Sequence, residues 1–199
     1  MSKLLTLTTV VGCVLAVHTP VAAQETSRFW LGAGVGAAAG RVGCDICSAE
    51  RDLGPSAQLR AGYVLGRHLQ LGLEANGWTS NDAELGVRDV IVGVAGLLYW
   101  YPSPDGPRYH LKAGLGPVWY RAQDSDVPAG ETAEPAITSN ALGIYIGVGY
   151  DLPVGGVAVT PFFNLSDMLF SGALRQQDTR LADVNVSLIQ VGVAVRWQP

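Results

Sequence analysis

Apolar and polar residues alternate with a period of two along most of the chain. Between residues 29 and 39 the odd positions are apolar, from Phe29 to Ala39, whereas the even positions after Trp30 are glycine or alanine. A period of two places successive side chains on opposite faces of a β-strand. Repetition of this pattern predicts eight strands, at residues 29–39, 56–65, 69–76, 90–100, 109–120, 142–151, 157–165 and 189–197.

Long polar connections alternate with shorter ones between these strands. The long connections are residues 40–55, 77–88, 122–139 and 166–183. The shorter connections are residues 66–68, 102–108 and 152–156. Short turns join antiparallel neighbours, so this spacing indicates an up-and-down order with the long loops at one end. The sequence therefore predicts an all-β fold, an eight-stranded antiparallel up-and-down barrel.

Two kinds of barrel fit this alternation. In a soluble, lipocalin-like barrel the apolar side chains point inward and charged residues cover the outside. In a membrane barrel the apolar side chains face lipid and the polar ones face the lumen. The apolar faces of seven of the strands carry essentially no charge, which hydrocarbon requires and water does not. The pattern therefore favours a transmembrane barrel with long extracellular loops and short periplasmic turns.

Aromatic residues near the predicted strand ends support the same orientation. Membrane barrels carry aromatic girdles where the apolar band meets the two interfaces. The predicted girdle on the short-turn side consists of Trp30, Tyr63, Trp100, Tyr101, Tyr109, Tyr150 and Trp197. On the long-loop side the candidates are Trp78, Trp119, Tyr120 and Phe163.

Composition excludes several other classes of protein. Of 199 residues, 48% are hydrophobic and 15% are charged, and the formal net charge is −4. Soluble domains average about 25% charged residues, and nucleic-acid-binding domains are usually basic. Outside the N-terminus, no uncharged apolar run reaches the roughly 18 residues that a membrane-spanning helix needs. We therefore expect neither a nucleic-acid partner nor a helical membrane protein.

The first 23 residues have the features of an export signal. Lys3 gives a positive start, residues 4–17 are apolar, and Val21 to Ala23 supply the small residues that signal peptidase accepts. We predict cleavage after Ala23, which leaves residues 24–199 as one barrel domain. Two alternatives are a lipoprotein cleavage site at Cys13 and a buried first helix.

Export makes the cysteines interpretable, because disulfides persist outside the cytoplasm. Cys44 and Cys47 lie in one predicted loop, and we expect a small disulfide between them. Two free thiols are the alternative. A redox pair would need a thioredoxin-like context and a zinc site two further ligands, so no metal or cofactor is predicted.

Polar side chains are expected to fill the barrel, because eight strands enclose a lumen only as wide as its side chains. Arg60 and Glu74 face the same side of adjacent strands, and we predict that they pair. Because a lone buried charge is costly, Lys112 and Arg196 are expected to share hydrogen bonds around Glu74, the main interior acid, with Asp89 as a second candidate. A stabilising plug is favoured over a gated ion path. The predicted luminal network consists of Gln58, Arg60, Gln70, Glu74, Asn76, Lys112, Asn164, Gln190 and Arg196.

The last predicted strand carries a motif of polar residue, glycine, apolar residue and aromatic residue at Gln190, Gly192, Val195 and Trp197. With this motif, residues 24–199 resemble the small eight-stranded outer-membrane barrels typified by OmpX, the OmpA transmembrane domain and the opacity-type surface antigens. The resemblance implies a Gram-negative outer-membrane protein that is inserted by the barrel-assembly machinery and that contacts membrane lipid and lipopolysaccharide.

A structural or surface-interaction role for a monomeric barrel is the favoured function. The acidic third loop, with Asp124, Asp126, Glu131 and Glu134, is a candidate contact for a surface ligand. A narrow channel, or a lateral pathway for small hydrophobic molecules, is the first alternative. A lipid A-modifying enzyme is the second, but it would need a Ser, His and acid constellation near the outer leaflet. His68 and His110 are predicted at the opposite end, so no enzymatic activity is expected.

Overall fold

A computed structural model describes residues 28–44, 50–82, 86–103, 108–124, 135–170, 172–177 and 179–199. The regular structure in these residues consists of β-strands. Nowhere in the described ranges is there a helix long and apolar enough to cross a membrane. The strands are β1 Phe29–Gly43, β2 Asp52–Val64, β3 Leu69–Asp82, β4 Val87–Trp100, β5 Tyr109–Asp124, β6 Ile137–Tyr150, β7 Leu152–Val154, β8 Val157–Met168, β9 Gly172–Gln176 and β10 Thr179–Trp197.

These ten segments make up eight barrel strands. The short β7 keeps the register of β6 against β8, since Gly149 faces Phe162 and Leu152 faces Val159. Likewise, β9 follows β8 between the same two neighbours, β6 and β10. Each remaining strand pairs antiparallel with the next, and β10 pairs with β1. The predicted eight-stranded up-and-down barrel is therefore confirmed.

The strands are strongly staggered around the barrel. A path that steps from each residue to the one directly opposite it on the next strand starts at Phe29. After one circuit of the barrel it returns to β1 at Ala39, ten residues further along. With about 3.3 Å per residue and about 4.8 Å between strands, this stagger corresponds to a strand tilt of about 40°. The path passes through Tyr63, Leu71, Leu98, Ala113, Ile146, Leu165 and Ile189.

The strands extend further towards the loop end than the sequence predicted. Residues 77–88 and 166–183 were expected to be long loops, but most of them belong to β3, β4, β8, β9 and β10. The alternation that marks a lipid-facing strand ends there, because outward positions such as Thr79 and Asn81 are polar. The longer connections at this end are residues 44–51 and 125–136.

Side-chain burial is the reverse of that in a soluble barrel. Outward aliphatic residues such as Leu59 and Val35 are 66% and 69% exposed. Inward polar residues such as Gln58 and Glu74 are only 1% and 2% exposed. Large exposed hydrophobic side chains on every long strand would be unfavourable in water and are favourable in hydrocarbon. The soluble, lipocalin-like alternative is therefore wrong.

Five of the predicted girdle residues lie on the outside at the turn end. Their strands are in register there, since Phe29 faces Tyr63 and Tyr109 faces Tyr150. The prediction was wrong for Trp30 and Tyr101, which are 1% and 7% exposed and point into the barrel. Their neighbours Phe29 and Trp100 point outward, so the period of two directs them inward. The exposed girdle residues are Tyr63, Trp100, Tyr109, Tyr150 and Trp197.

At the loop end the aromatic prediction was only partly correct. Trp119 and Phe163 are exposed, whereas Trp78 and Tyr120 are buried inside. The Trp78 indole donates a hydrogen bond from Nε1 to the Ala38 carbonyl oxygen at 3.0 Å. Its ring occupies space that a side chain on Gly40 would need, because a Cβ there would lie 2.5 Å from Trp78 Cη2.

Gly40→Ala is therefore expected to destabilise the barrel by about 1–3 kcal/mol through overpacking. Gly43→Ala is the matched control on the same strand, where the nearest atom to an added Cβ is 3.7 Å away. Urea unfolding of the two variants in detergent micelles, followed by tryptophan fluorescence, compares them. Equal unfolding midpoints would contradict the packing of Trp78 over Gly40.

Candidate functional site

The lumen gathers the polar side chains that the sequence predicted for it. They come from five barrel strands, and all of them are buried. A buried charge is costly unless it is paired and hydrogen-bonded, so the contacts inside the barrel determine what this region can do. The residues are Gln58, Arg60, Gln70, Glu74, Asn76, Lys112, Asn164, Gln190 and Arg196.

An ion pair lies at the centre of the barrel. Lys112 Nζ on β5 is 2.5 Å from Glu74 Oε2 on β3. The Tyr99 hydroxyl on β4, between these two strands, donates to the same oxygen at 3.2 Å. One carboxylate oxygen therefore accepts two hydrogen bonds, which links three adjacent strands across the inside of the wall.

The predicted pairing of Arg60 with Glu74 was wrong, whereas the expected grouping of Lys112 with Glu74 is confirmed. Arg60 lies directly opposite Glu74 in the register of β2 and β3, but the ion pair that the described residues form is with Lys112. The Arg60 side chain instead lies along β1, where a Cβ on Gly32 would be 2.8 Å from Arg60 Nε. Its guanidinium carbon is 6.0 Å from the centre of the Trp30 ring. Because Gly32 has no side chain, Arg60 has room to lie along β1, and Lys112 forms the ion pair with Glu74 instead.

Amide side chains form the next layer towards the loop end. Asn164 Nδ2 donates to Gln58 Oε1 at 3.2 Å and to Gln190 Oε1 at 3.1 Å. A space of only about 10 Å³ separates this layer from Glu74 and Lys112. That volume accommodates about one water molecule. A hydrated ion is larger than this space.

A second charge cluster closes the turn end, and the sequence analysis missed its central residue. Asp151, between β6 and β7, accepts hydrogen bonds from the Tyr101 hydroxyl at 2.9 Å and the Thr160 hydroxyl at 2.6 Å. Arg196 Nη1 is 3.2 Å from the same carboxylate, and its guanidinium carbon is 4.6 Å from the Trp30 ring centre. Asp151 continues the inward series of Gly147 and Gly149, so the period of two contained the signal.

The loop end of the lumen is apolar, which the sequence analysis also missed. Tyr120 is an exception in part, since its hydroxyl donates to Asp89 Oδ1 at 2.7 Å. Six of the eight apolar residues lie outside the predicted strands, in segments where no inward face was assigned. The apolar layer contains Trp78, Ile91, Val118, Met168, Leu174, Val184, Val186 and Leu188.

Both histidines of the described chain lie at the turn end, as predicted. His68 Nδ1 is 2.8 Å from the Tyr101 carbonyl oxygen. His110 is buried, with its ring centre 5.5 Å from that of Tyr99 and 5.1 Å from that of Tyr101. Its Nδ1 is 3.8 Å from Asp151. Both histidines therefore contact other residues of the described chain at the turn end.

Several predicted features lie partly or wholly outside the described residues. These include residues 1–23, Cys47, Asp126, Glu131 and Glu134. The export signal, the disulfide to Cys44 and the acidic loop therefore stay predictions. Of the terminal motif, Gln190 is buried in the lumen while Val195 and Trp197 are exposed on the outside of β10. Its recognition during assembly also stays a prediction.

Comparison with known proteins finds solved structures that have the same architecture. No protein-family model matches the chain, and no curated protein matches its sequence. Ail, the attachment invasion locus protein of Yersinia pestis, aligns with 86% of this chain and 99% of its own, at a TM-score of 0.58 and 13% identity. Neisserial surface protein A aligns with 88% of this chain and 100% of its own, at 0.56 and 17% identity.

A third solved structure is also similar to the chain in architecture at low sequence identity. A major outer membrane protein from Thermus thermophilus aligns with 84% of this chain and 99% of its own, at a TM-score of 0.52 and 16% identity. Such low identities support a statement about architecture and none about ligands. The chain has the fold of the small eight-stranded outer-membrane β-barrels.

Proposed function

We propose that this protein is an outer-membrane barrel of structural or surface-interaction type whose lumen is closed by its own side chains. The observation that carries the proposal is a series of side-chain layers that fills the lumen beyond an open vestibule of about 680 Å³ at the turn end. The Asp151 cluster, the pair of Lys112 and Glu74, the amide layer around Asn164 and the apolar layer around Trp78 follow one another along the barrel. Side chains from several strands meet in each layer. The fold is therefore stable without a continuous aqueous path through the lumen.

The proposal includes export and assembly. Residues 1–23 would direct the chain across the inner membrane, and the motif ending at Trp197 would be read by the barrel-assembly machinery. The outward apolar surface then meets membrane lipid, and the loop end meets the medium. A monomer satisfies this arrangement, because β1 and β10 already pair with each other and leave no open sheet edge.

The loops are the proposed contact surface. Among the structural neighbours, Ail has been solved in complex with the heparin analogue sucrose octasulfate. In this chain Asp124, Asp126, Glu131 and Glu134 make the third loop acidic, which disfavours a polyanion there. We infer that this loop favours cationic groups on another cell surface, or divalent cations.

No catalytic role is proposed. Both described histidines lie at the turn end, and His110 is buried against Tyr99, Tyr101 and Asp151. Acyl transfer in the outer leaflet would need a nucleophile and base at the other end of the barrel.

Fractionation and conductance test the proposal together. The full chain, expressed in a Gram-negative host, is expected in the outer membrane as a compact band that shifts on boiling. In planar bilayers the purified protein is expected to give no stable conductance, with a water-filled porin as positive control. Steady ion conductance would favour the narrow channel instead, and recovery from the cytoplasm would exclude the membrane assignment.

A further inference from the structure

Four strands share one outward pattern that the function above does not use. On β1, β2, β4 and β5, six outward residues without charge are followed by an arginine in the direction of the loops. Each series starts at an aromatic residue of the turn-end ring, namely Phe29, Tyr63, Trp100 or Tyr109. The four arginines, all exposed, are Arg41, Arg51, Arg88 and Arg121, and we call them the arginine arc.

The arginine arc lies at one level of the barrel. In all four cases the arginine is twelve positions from the aromatic residue of its series. Twelve residues of a strand tilted by about 40° rise about 30 Å. The apolar band of an outer-membrane barrel is about 25 Å tall, so this rise reaches from one interface into the headgroup layer of the other leaflet.

The arginine arc covers one side of the barrel only. Its strands belong to the continuous run β1 to β5, where β3 contributes Asn81. On the opposite side, the outward residues near this level are Asn140 on β6, Asp167 on β8 and Asn185 on β10. The exposed Arg175 on β9 lies further towards the loops, opposite Thr138. A requirement for solubility alone would be met by any polar residue, so it does not explain why one side carries arginine.

Arginine has the chemistry for a specific partner at this level. Its planar guanidinium binds phosphate through two parallel hydrogen bonds. Arg51 Nη1 donates to the Ala39 carbonyl oxygen at 3.3 Å, and Arg88 Nε donates to the Thr79 hydroxyl at 3.2 Å. These contacts hold two of the side chains against the barrel wall and use one N–H group of each. Asp52 and Asp124 lie near the two ends of the arc.

We propose that the arginine arc binds the phosphate groups of lipopolysaccharide in the outer leaflet. This inference rests on the proposed outer-membrane location. It gives the barrel a lipid-binding side, β1 to β5, and a side without phosphate contacts, β6 to β10. The acyl chains of the same lipid would then lie against the outward apolar residues below the arc.

Lipid binding by the purified full chain tests this proposal. Wild type and a variant with Arg41→Gln, Arg51→Gln, Arg88→Gln and Arg121→Gln are purified in non-ionic detergent, and binding of lipid A is titrated by native mass spectrometry. We expect at least tenfold weaker binding by the variant. Dephosphorylated lipid A should bind wild type equally weakly, and millimolar inorganic phosphate should not displace lipid A.

A matched variant removes the same charge elsewhere. Arg67→Gln, Arg108→Gln, Arg175→Gln and Arg180→Gln also lower the charge by four, at the turn end and in the hairpin of β9 and β10. This variant is expected to bind lipid A as wild type does. Equal loss in both variants, or equal binding of dephosphorylated lipid A by wild type, would overturn the proposal. The comparison of lipid A with dephosphorylated lipid A uses wild type only, so it does not depend on whether a variant folds. The heat-modifiable band in the outer-membrane fraction tests the outer-membrane location independently.

Discussion

Glu74→Gln is expected to lower the free energy of unfolding by about 3–5 kcal/mol, because it leaves the buried Lys112 ammonium without its counter-charge. Both side chains are almost completely buried, and the Lys112 Nζ to Glu74 Oε2 distance is 2.5 Å. Glutamine keeps the size of the side chain, so packing is preserved while the charge is removed. Urea unfolding in lipid vesicles, followed by the heat-modifiable band, measures the change.

Two double variants identify the partner of Glu74. Glu74→Gln with Lys112→Met removes both charges and is expected to recover most of the lost stability. Glu74→Gln with Arg60→Met should recover little, because Arg60 packs towards Trp30. A larger coupling energy between Glu74 and Arg60 than between Glu74 and Lys112 would refute the arrangement described here.

Leu59→Arg is expected to destabilise the inserted barrel by about 2–4 kcal/mol, the cost of a lipid-facing arginine near the middle of a bilayer. Leu59 is 66% exposed on β2, where a protein dissolved in water would tolerate an arginine. The two environments therefore predict opposite outcomes for the same substitution. Unfolding midpoints in lipid vesicles provide the measurement.

Leu53→Arg is the control on the same strand and the same face. Leu53 is 78% exposed and lies next to the loop-end rim, two residues from Arg51. An arginine there should cost only about 0–1 kcal/mol, because the side chain reaches the interface. If the two variants were equally stable, the apolar band would not be in contact with lipid.

The alternation of residue types was enough to predict the barrel and the two faces of its strands. A one-residue change of phase would turn every side chain around, so the pattern is informative wherever one face meets lipid. Trp30 shows that the period of two is a better guide to the direction of a side chain than its proximity to a strand end. Its position near a strand end suggested the girdle, but its place between Phe29 and Leu31 directs it inward.

Contacts across the lumen were less predictable. Adjacent strands place Arg60 beside Glu74, and nothing in a linear sequence tells how far Lys112 on another strand extends inside the barrel. The apolar layer around Trp78 was missed for a different reason. Beyond the lipid the outward residues become polar, so the contrast that identifies a membrane strand disappears while the strand continues.

Pairing between the first and the last strand has a consequence for synthesis. Opposed residues run from Leu31 and Trp197 to Gly43 and Asn185, so β1 obtains its second neighbour only from the C-terminal strand. Until β10 has been synthesised, the chain has two unsatisfied sheet edges, however many hairpins it has formed. Closure must therefore follow synthesis of β10, and a truncated copy that lacks β10 would expose two unpaired edges, which favours proteolysis over insertion.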